Sequence, residues 1–316
     1  MNVKSDHQPV LVDEVLEGLA LVTDGWYVDA TYGRGGHSAM MLAALGPRGR
    51  LLALDKDPAA VAHARRRFAD EPRFSVRQAD FAAIATEVAD WLGPQRLAGI
   101  LFDLGVSSPQ LDTPERGFSF NADGPLDMRM NTSTGPTLAD WLAHVSQSEL
   151  AQVIARFGEQ PGAHRIAAAI VRARAEAPIL TTLQLADIVS AAAPRSQRRQ
   201  HPATRVFQAL RIALNAELEA LQTGLAQSLD LLRSGGRLVV ISFHSLEDRI
   251  VKRFMNEQAR GDPAWAGLPD MPAQARPRLR LIGKLIRPTE AELARNPRAR
   301  SARLRVAERL RHEGDT

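Results

Sequence analysis

The chain has 316 residues and no cysteine. Disulfides, thiolate metal sites and a cysteine nucleophile are therefore excluded, and the composition suits a reducing compartment. Its eight histidines show neither a His-x-x-x-His pair nor a comparable ligand spacing, so no metal site is expected. Nowhere do eighteen apolar residues run uninterrupted, and Met1 to Asp13 holds no long apolar region. Neither a membrane span nor an export signal is predicted, which makes a cytoplasmic protein the expectation. Internal repeats and extended low-complexity segments are also lacking. With 45% hydrophobic residues, the chain can bury one large core or two modest ones.

The most informative stretch present is Asp29-Ala30-Thr31-Tyr32-Gly33-Arg34-Gly35-Gly36-His37-Ser38, which follows the apolar run Trp26-Tyr27-Val28. It reads as a strand ending in a carboxylate, a glycine-rich turn, and a helix opening through Ser38. Glycine tolerates positive φ and lets backbone approach a ligand closely, so the turn is a cofactor cradle. A second apolar run, Leu51-Leu52-Ala53-Leu54, ends in Asp55 about twenty residues past the turn, where an acid accepts hydrogen bonds from ribose hydroxyls. The dinucleotide fingerprint needs a third glycine where Ser38 stands, and Asp29 ahead of the turn is ill-suited to a pyrophosphate. A carboxylate there suits the cationic end of S-adenosylmethionine, which is the expected ligand.

Two more strands follow the same plan. Phe74 to Gln78 leads to Asp80 and Phe81, and Ala98 to Phe102 ends in Asp103. Acids at 29, 55, 80 and 103 are thus predicted along the carboxyl edge of one parallel sheet, where open α/β sheets bind ligands. Helices are expected from Pro58 to Phe68 and Phe81 to Leu92. From Thr113 to Arg211 the pattern changes to loop material and then helical spacing at 137–144, 146–157, 163–175 and 183–193, with caps at Ser146 and Thr182. A long helix over 203–232, a turn at Gly235-Gly236 and a strand at 237–242 return the chain to the sheet. Segments 279–286 and 302–308 are predicted to pair antiparallel at its edge, after a loop over 257–277. The expected organisation is a discontinuous α/β domain (1–112 and 212–316) carrying an all-helical insertion (113–211).

Charge is uneven. Lys252 to Arg311 holds fifteen basic and six acidic residues, whereas the rest of the chain is slightly acidic. Together with Arg195, Arg198 and Arg199 in a polar loop, this is the electrostatic footprint of a nucleic-acid binder, because guanidinium groups match phosphate oxygens bidentately.

Long motifs carry a family resemblance. They are His7-Gln8-Pro9-Val10-Leu11, Asp29 to Ser38, Asp103-Leu104-Gly105-Val106-Ser107-Ser108-Pro109-Gln110-Leu111-Asp112, Gly117-Phe118-Ser119-Phe120, Pro125-Leu126-Asp127-Met128-Arg129-Met130 and Ser242-Phe243-His244-Ser245-Leu246-Glu247-Asp248-Arg249. With them the chain, from residue 5 to residue 311, resembles the RsmH (also MraW) family of bacterial 16S ribosomal RNA cytosine-N4 methyltransferases. The resemblance implies a class I (Rossmann-like) methyltransferase sheet with a helical insertion, S-adenosylmethionine as donor, and a cytidine in the decoding centre of the small ribosomal subunit as target. It also implies donor contacts from Gly35, Gly36, His37, Asp55, Phe81, Asp103 and Gln110; His37 and Gln110 rest on it alone.

Asp103 and His244 are the candidate catalytic residues. Asp103 would accept a hydrogen bond from the exocyclic amine, and His244, at the end of the fifth strand, would orient the base or take a proton. His244 is otherwise read as the approach to a helix capped by Ser245. Many amino-methyltransferases carry Pro-Pro-aromatic after the strand-end acid; here Leu104-Gly105-Val106 stands instead, which leaves the stacking group open among Phe118, Phe120, Phe243 and His244. Lacking a cysteine nucleophile, the chain is expected to transfer the methyl directly, with the base unpaired or turned outward. A DNA cytosine-N4 methyltransferase and an RNA-binding assembly factor with a vestigial donor site are the alternatives. The sequence is compatible with a monomer or a homodimer.

Overall fold

In a computed structural model the protein is described over residues 9–194, 201–265, 272 and 275–311. These divide into two compact units, one formed by the chain up to Gly105 and from Leu218 onward, the other by Val106–Glu217. The second unit therefore opens before residue 113, directly after the Gly105 turn, and closes after residue 211.

The first unit begins with α1 (Val12–Leu19), β1 (Trp26–Asp29), α2 (Gly36–Ala44), β2 (Arg50–Asp55), α3 (Pro58–Arg67), β3 (Phe74–Gln78), α4 (Ile84–Leu92) and β4 (Leu97–Asp103). The second unit carries α5 (Ser108–Asp112), α6 (Leu138–His144), α7 (Gln147–Gly158), α8 (Ala163–Glu176), α9 (Thr182–Ala192) and α10 (Pro202–Leu214). After α11 (Glu217–Leu231) the chain resumes the sheet with β5 (Leu232–Ser242), followed by α12 (Ser245–Arg260), β6 (Leu279–Ile286), α13 (Glu290–Arg295) and β7 (Arg303–Arg309).

The seven strands lie in the order β3-β2-β1-β4-β5-β7-β6. β1 to β5 are mutually parallel, and β7 runs antiparallel to both β5 and β6. The chain thus forms a doubly wound Rossmann-like sheet whose order reverses between β1 and β4. Alternation along the strands feeds two cores. Val28, Leu52, Leu54, Ile100, Phe102 and Val240 enter one, while Tyr27, Leu51, Leu101, Val239 and Ile241 enter the other. Burial on both faces explains why these strands read as continuous apolar runs.

Three local expectations are corrected. Gly235 and Gly236 form no separate turn: they lie within β5 at a register shift, with Leu232 opposite Leu97 and Arg237 opposite Gly99, and Gly235 takes φ +76°. The extra residues bend the strand as a bulge does. The helix expected over 203–232 is two helices, broken at Asn215 and Ala216, the latter at φ +49°. Asn215 leaves the helical path because its side chain donates to Met128 O (3.0 Å) and accepts from Met130 N–H (2.7 Å). Finally, Thr181 rather than Thr182 caps α9, accepting from Gln184 N–H.

Asp248, on α12, accepts hydrogen bonds from Arg303 (2.9 Å) and Arg305 (2.7 Å) of β7. Burial acts to raise its pKa, but the two guanidinium groups outweigh burial and hold the carboxyl below its ordinary range. Its contribution is therefore complete above the unfolded carboxylate pKa and disappears as pH falls through the folded value. Asp248→Asn is expected to lower stability by about 2 kcal/mol at neutral pH, with the gap closing in acid, measured by urea unfolding.

Candidate active site

At the carboxyl ends of β1 and β4 the glycine turn connects β1 to α2. Gly33 and Gly35 take φ values of +55° and +69°. A Cβ on Gly35 would lie 2.4 Å from the Tyr32 ring, and one on Gly36 would lie 2.9 Å from Pro9. Glycine is therefore required at 35 on both conformational and steric grounds. Tyr32 is wedged among Phe68, Phe74 and His63, its hydroxyl 2.9 Å from His63 Nδ1, and burial pushes its pKa up to about 12.

Asp29 does not face outward. It is 1% exposed; Oδ2 accepts from the Ser38 hydroxyl (2.6 Å) and Oδ1 from Thr31 N–H (3.2 Å). Burial raises its pKa. This carboxylate fastens the turn to the first turn of α2, and any action on a ligand's cation is through space. Asp55 is similarly fixed: Oδ2 accepts from Gly33 N–H and Oδ1 from Asp57 N–H, both at 2.8 Å. Burial lifts its pKa to about 6 against those two bonds. Each oxygen keeps a lone pair for a ribose hydroxyl.

Asp103 is the open carboxylate of the group. Its backbone N–H donates to Thr31 Oγ1 (2.6 Å), and its side chain is 25% exposed, with Oδ1 buried and lacking a hydrogen-bond partner among the described residues. His37, for which the resemblance implies a donor contact, is 6% exposed, with Nε2 3.4 Å from Asp103 Oδ2. Gly35, Gly36, His37, Asp55 and Asp103 are thus brought to one sheet edge.

Phe81 follows Asp80, which accepts from Ala82 N–H (2.9 Å) and from Lys56 Nζ (2.8 Å); the Phe81 ring meets Phe102 edge-on at 5.5 Å. Gln110 belongs to the other unit. There it is 5% exposed and caps α5, its Oε1 accepting from Ser107 N–H at 2.9 Å. Of the stacking candidates in that unit, Phe118 is buried, and Phe120 packs against His201 (4.7 Å) and Phe207 (4.9 Å). Arg195, Arg198 and Arg199 lie outside the described residues.

His244 itself occupies the cap of α12, in place of Ser245. Its Nδ1 accepts from Glu247 N–H (3.4 Å), its Nε2 lies 3.0 Å from Glu247 Oε1, and Glu247 Oε2 accepts from Phe243 N–H (2.8 Å). Both ring nitrogens are thereby turned to the helix start. Glu247 escaped the sequence reading, which placed the cap one residue later at Ser245. Thr31 and Glu292 escaped the sequence reading. Thr31 is an ordinary turn residue there, and no local pattern links Glu292 to Leu11, whose N–H it accepts at 2.7 Å.

The residues fit the cofactor expected from the sequence. A Cβ-free turn admits a close approach, a carboxylate at the end of β2 suits ribose, and Asp103 keeps an unfilled buried acceptor beside the switch point. Among the described residues no group of three acids or histidines could hold a metal ion, and no helix is long and apolar enough to cross a membrane.

Comparison with known proteins gives a consistent result. Residues 4–310 match the MraW methylase family. The chain is 55% identical over 306 residues to the Ribosomal RNA small subunit methyltransferase H of Thioalkalivibrio sulfidiphilus (strain HL-EbGR7), covering 96% of this chain and 97% of that protein. It is 52% identical over 312 residues to the protein of the same name from Pseudoalteromonas atlantica (strain T6c / ATCC BAA-1087), covering 98% and 100%. Identity to the one from Xylella fastidiosa (strain M12) is 53% over 309 residues, covering 96% and 97%.

Proposed function

The chain belongs to the MraW methylase family, and from that premise we propose that it methylates 16S ribosomal RNA of the small subunit, with S-adenosylmethionine as donor and the N4 amine of a decoding-centre cytidine as acceptor. The observation that carries the chemistry is Asp103, an open, partly buried carboxylate beside the glycine turn. The near full-length likeness to relatives named for small-subunit ribosomal RNA supports the substrate class. The cytoplasm is the proposed location.

When bound, S-adenosylmethionine would supply a methyl group on a cationic sulfur, a leaving group that keeps the bonding electrons. Gly35 and Gly36 would let the backbone come close to the methionine part, Asp55 would accept from the ribose hydroxyls, and Phe81 would lie against the adenine. The cytidine amine is a poor nucleophile because its lone pair is delocalised into the ring. Asp103 accepts a hydrogen bond from that amine, increases lone-pair availability in the transition state, and holds the proton that leaves N4. Most of the remaining rate enhancement is alignment of the two reactants. His244 steadies the end of β5 by capping α12, and Gln110 is a further candidate for a donor contact. The helical unit, with Arg195, Arg198 and Arg199, recognises RNA shape and phosphates.

Asp55 gives a pH prediction. Ribose hydroxyls donate, so binding favours the ionised carboxylate, and affinity for S-adenosylhomocysteine is expected to rise as pH climbs through about 6 and then level off. Asp55→Asn is expected to remove that dependence and weaken binding by roughly 10–100-fold at neutral pH, measured by calorimetry. The pH dependence surviving in the variant would count against the assignment.

The function is tested by offering labelled S-adenosylmethionine with small subunits lacking the modification, matched DNA, and no acceptor. Label in the ribosomal RNA alone supports the proposal. Label in DNA alone turns it into a DNA methyltransferase, and donor binding with no transfer to either favours the assembly factor.

A further inference from the structure

His37 is buried in the first turn of α2, and its imidazole points along the sheet edge rather than to solvent. Nε2 stands 3.4 Å from Asp103 Oδ2, with no hydrogen bond completed by Nε2 among the described residues. Three carboxylates from three elements act electrostatically on the ring: Asp103 at the end of β4, Asp29 at the end of β1 and Glu292 on α13. Two of them are committed elsewhere. Asp29 has both oxygens filled by Ser38 and Thr31, and Glu292 Oε1 accepts from Leu11 N–H. Asp103 differs, since its Oδ1 is buried and unfilled.

A buried acceptor left unfilled is costly, and so is a buried imidazole without a partner. The two costs fall on facing groups in a protein that otherwise fills its strand-end carboxylates. Such a pairing is explained if the imidazole acts on Asp103 and fixes its orientation.

We propose that His37 is a positioning residue acting through Asp103. As the imidazolium it anchors the Asp103 carboxylate and holds it in place for an arriving amine proton. This role differs from a donor contact made by the glycine-turn backbone, and it rests on the methyl-transfer reading above. Burial pulls the imidazole pKa down, but Asp103, Asp29 and Glu292 together more than offset burial, leaving it above the ordinary value. The rate of transfer should therefore fall as pH rises through the His37 value, and loss of the cation must remove that alkaline limb.

The test begins without ligand or turnover. Imidazole resonances of the full chain are titrated by NMR in the wild type and in Asp103→Asn, with the His37 signal identified by its absence in His37→Gln. The expected result is a His37 pKa above the ordinary 6.5 in the wild type that shifts down in Asp103→Asn. Rates of methyl transfer are then followed against pH. His37→Ala is expected to lose roughly 100-fold in kcat through misplacement of the carboxylate. In His37→Gln, which keeps a neutral N–H donor, most of that loss is recovered, yet the alkaline limb is gone. A His37 titration indifferent to Asp103→Asn overturns the pairing, and an alkaline limb retained in His37→Gln overturns the role. If the variants at 37 fail to fold, the Asp103→Asn titration still decides, with His37 then assigned through bond correlations. A wild type that transfers no methyl to any RNA defeats the functional reading instead, while the titration still judges the pair.

Discussion

Asp103→Ala is expected to lower single-turnover methyl transfer by about 10²–10⁴-fold, the range for removal of a positioned proton acceptor. The loss should fall on the chemical step, because the substitution deletes the carboxylate that meets the amine. The anchor of this strand end is the bond from the Asp103 backbone N–H to Thr31 Oγ1, which any side chain preserves. The side chain itself fills no structural hydrogen bond with Oδ1 and lies near another buried carboxylate, Asp29. Its removal also leaves the buried His37 imidazole without its facing carboxylate, so stability should fall by about 1–3 kcal/mol. Asp103→Asn retains shape and a carbonyl acceptor but loses charge and basicity, so its rate should fall between those of wild type and alanine. Quenched-flow measurement of the first turnover, beside thermal unfolding of each variant, checks both parts. Full first-turnover activity in the alanine variant would remove Asp103 from the chemistry.

The second large effect concerns the turn that brings the backbone to the donor. Gly35→Ala places a Cβ at 2.4 Å from Tyr32, whose ring cannot retreat because Phe68, Phe74 and His63 hold its other sides. Left-handed φ adds about 1 kcal/mol for a non-glycine residue. Overpacking of a ring in a filled site adds about 1–3 kcal/mol. A destabilisation of about 2–4 kcal/mol is expected, together with loss of most donor affinity as the turn shifts. Gly235→Ala is the control: its φ is also left-handed, at +76°, but nothing lies within 4 Å of the added Cβ. It should show the conformational part alone. Equal effects at 35 and 235 in chemical denaturation would mean that the Tyr32 contact has no role.

The parallel sheet was legible because its signals are local. Each buried strand is a short apolar run, and each of the runs ending at Asp29, Asp55 and Asp103 stops at an acid, which placed those carboxylates on one edge before any coordinates. The glycine turn was equally plain, since positive φ at Gly33 and Gly35 leaves a mark in composition. What remained hidden depends on partners distant in sequence. Asn215 breaks a helix by bonding to backbone at Met128 and Met130, and propensity over 203–232 carries no trace of that bond. His37 reads locally as a solvent-facing residue of a first helical turn; only the return of β4 beside β1 buries it against Asp103. Gly235 and Gly236 resemble a turn in sequence, yet pairing with Leu97 and Gly99 on β4 absorbs them as a bulge. His244 shows that even a local signal can be assigned to the wrong neighbour: a histidine ring can cap a helix as Ser245 was expected to.

The account turns on a strand-end carboxylate that activates a cytidine amine in small-subunit ribosomal RNA. Its most direct test is incubation of small subunits lacking the modification with labelled S-adenosylmethionine, using wild type and Asp103→Ala in parallel. Digestion to nucleosides and identification by mass then follow. The account predicts N4-methylcytidine from the wild type and almost none from the variant. Label on another nucleoside, or equal N4-methylcytidine from both proteins, would contradict it.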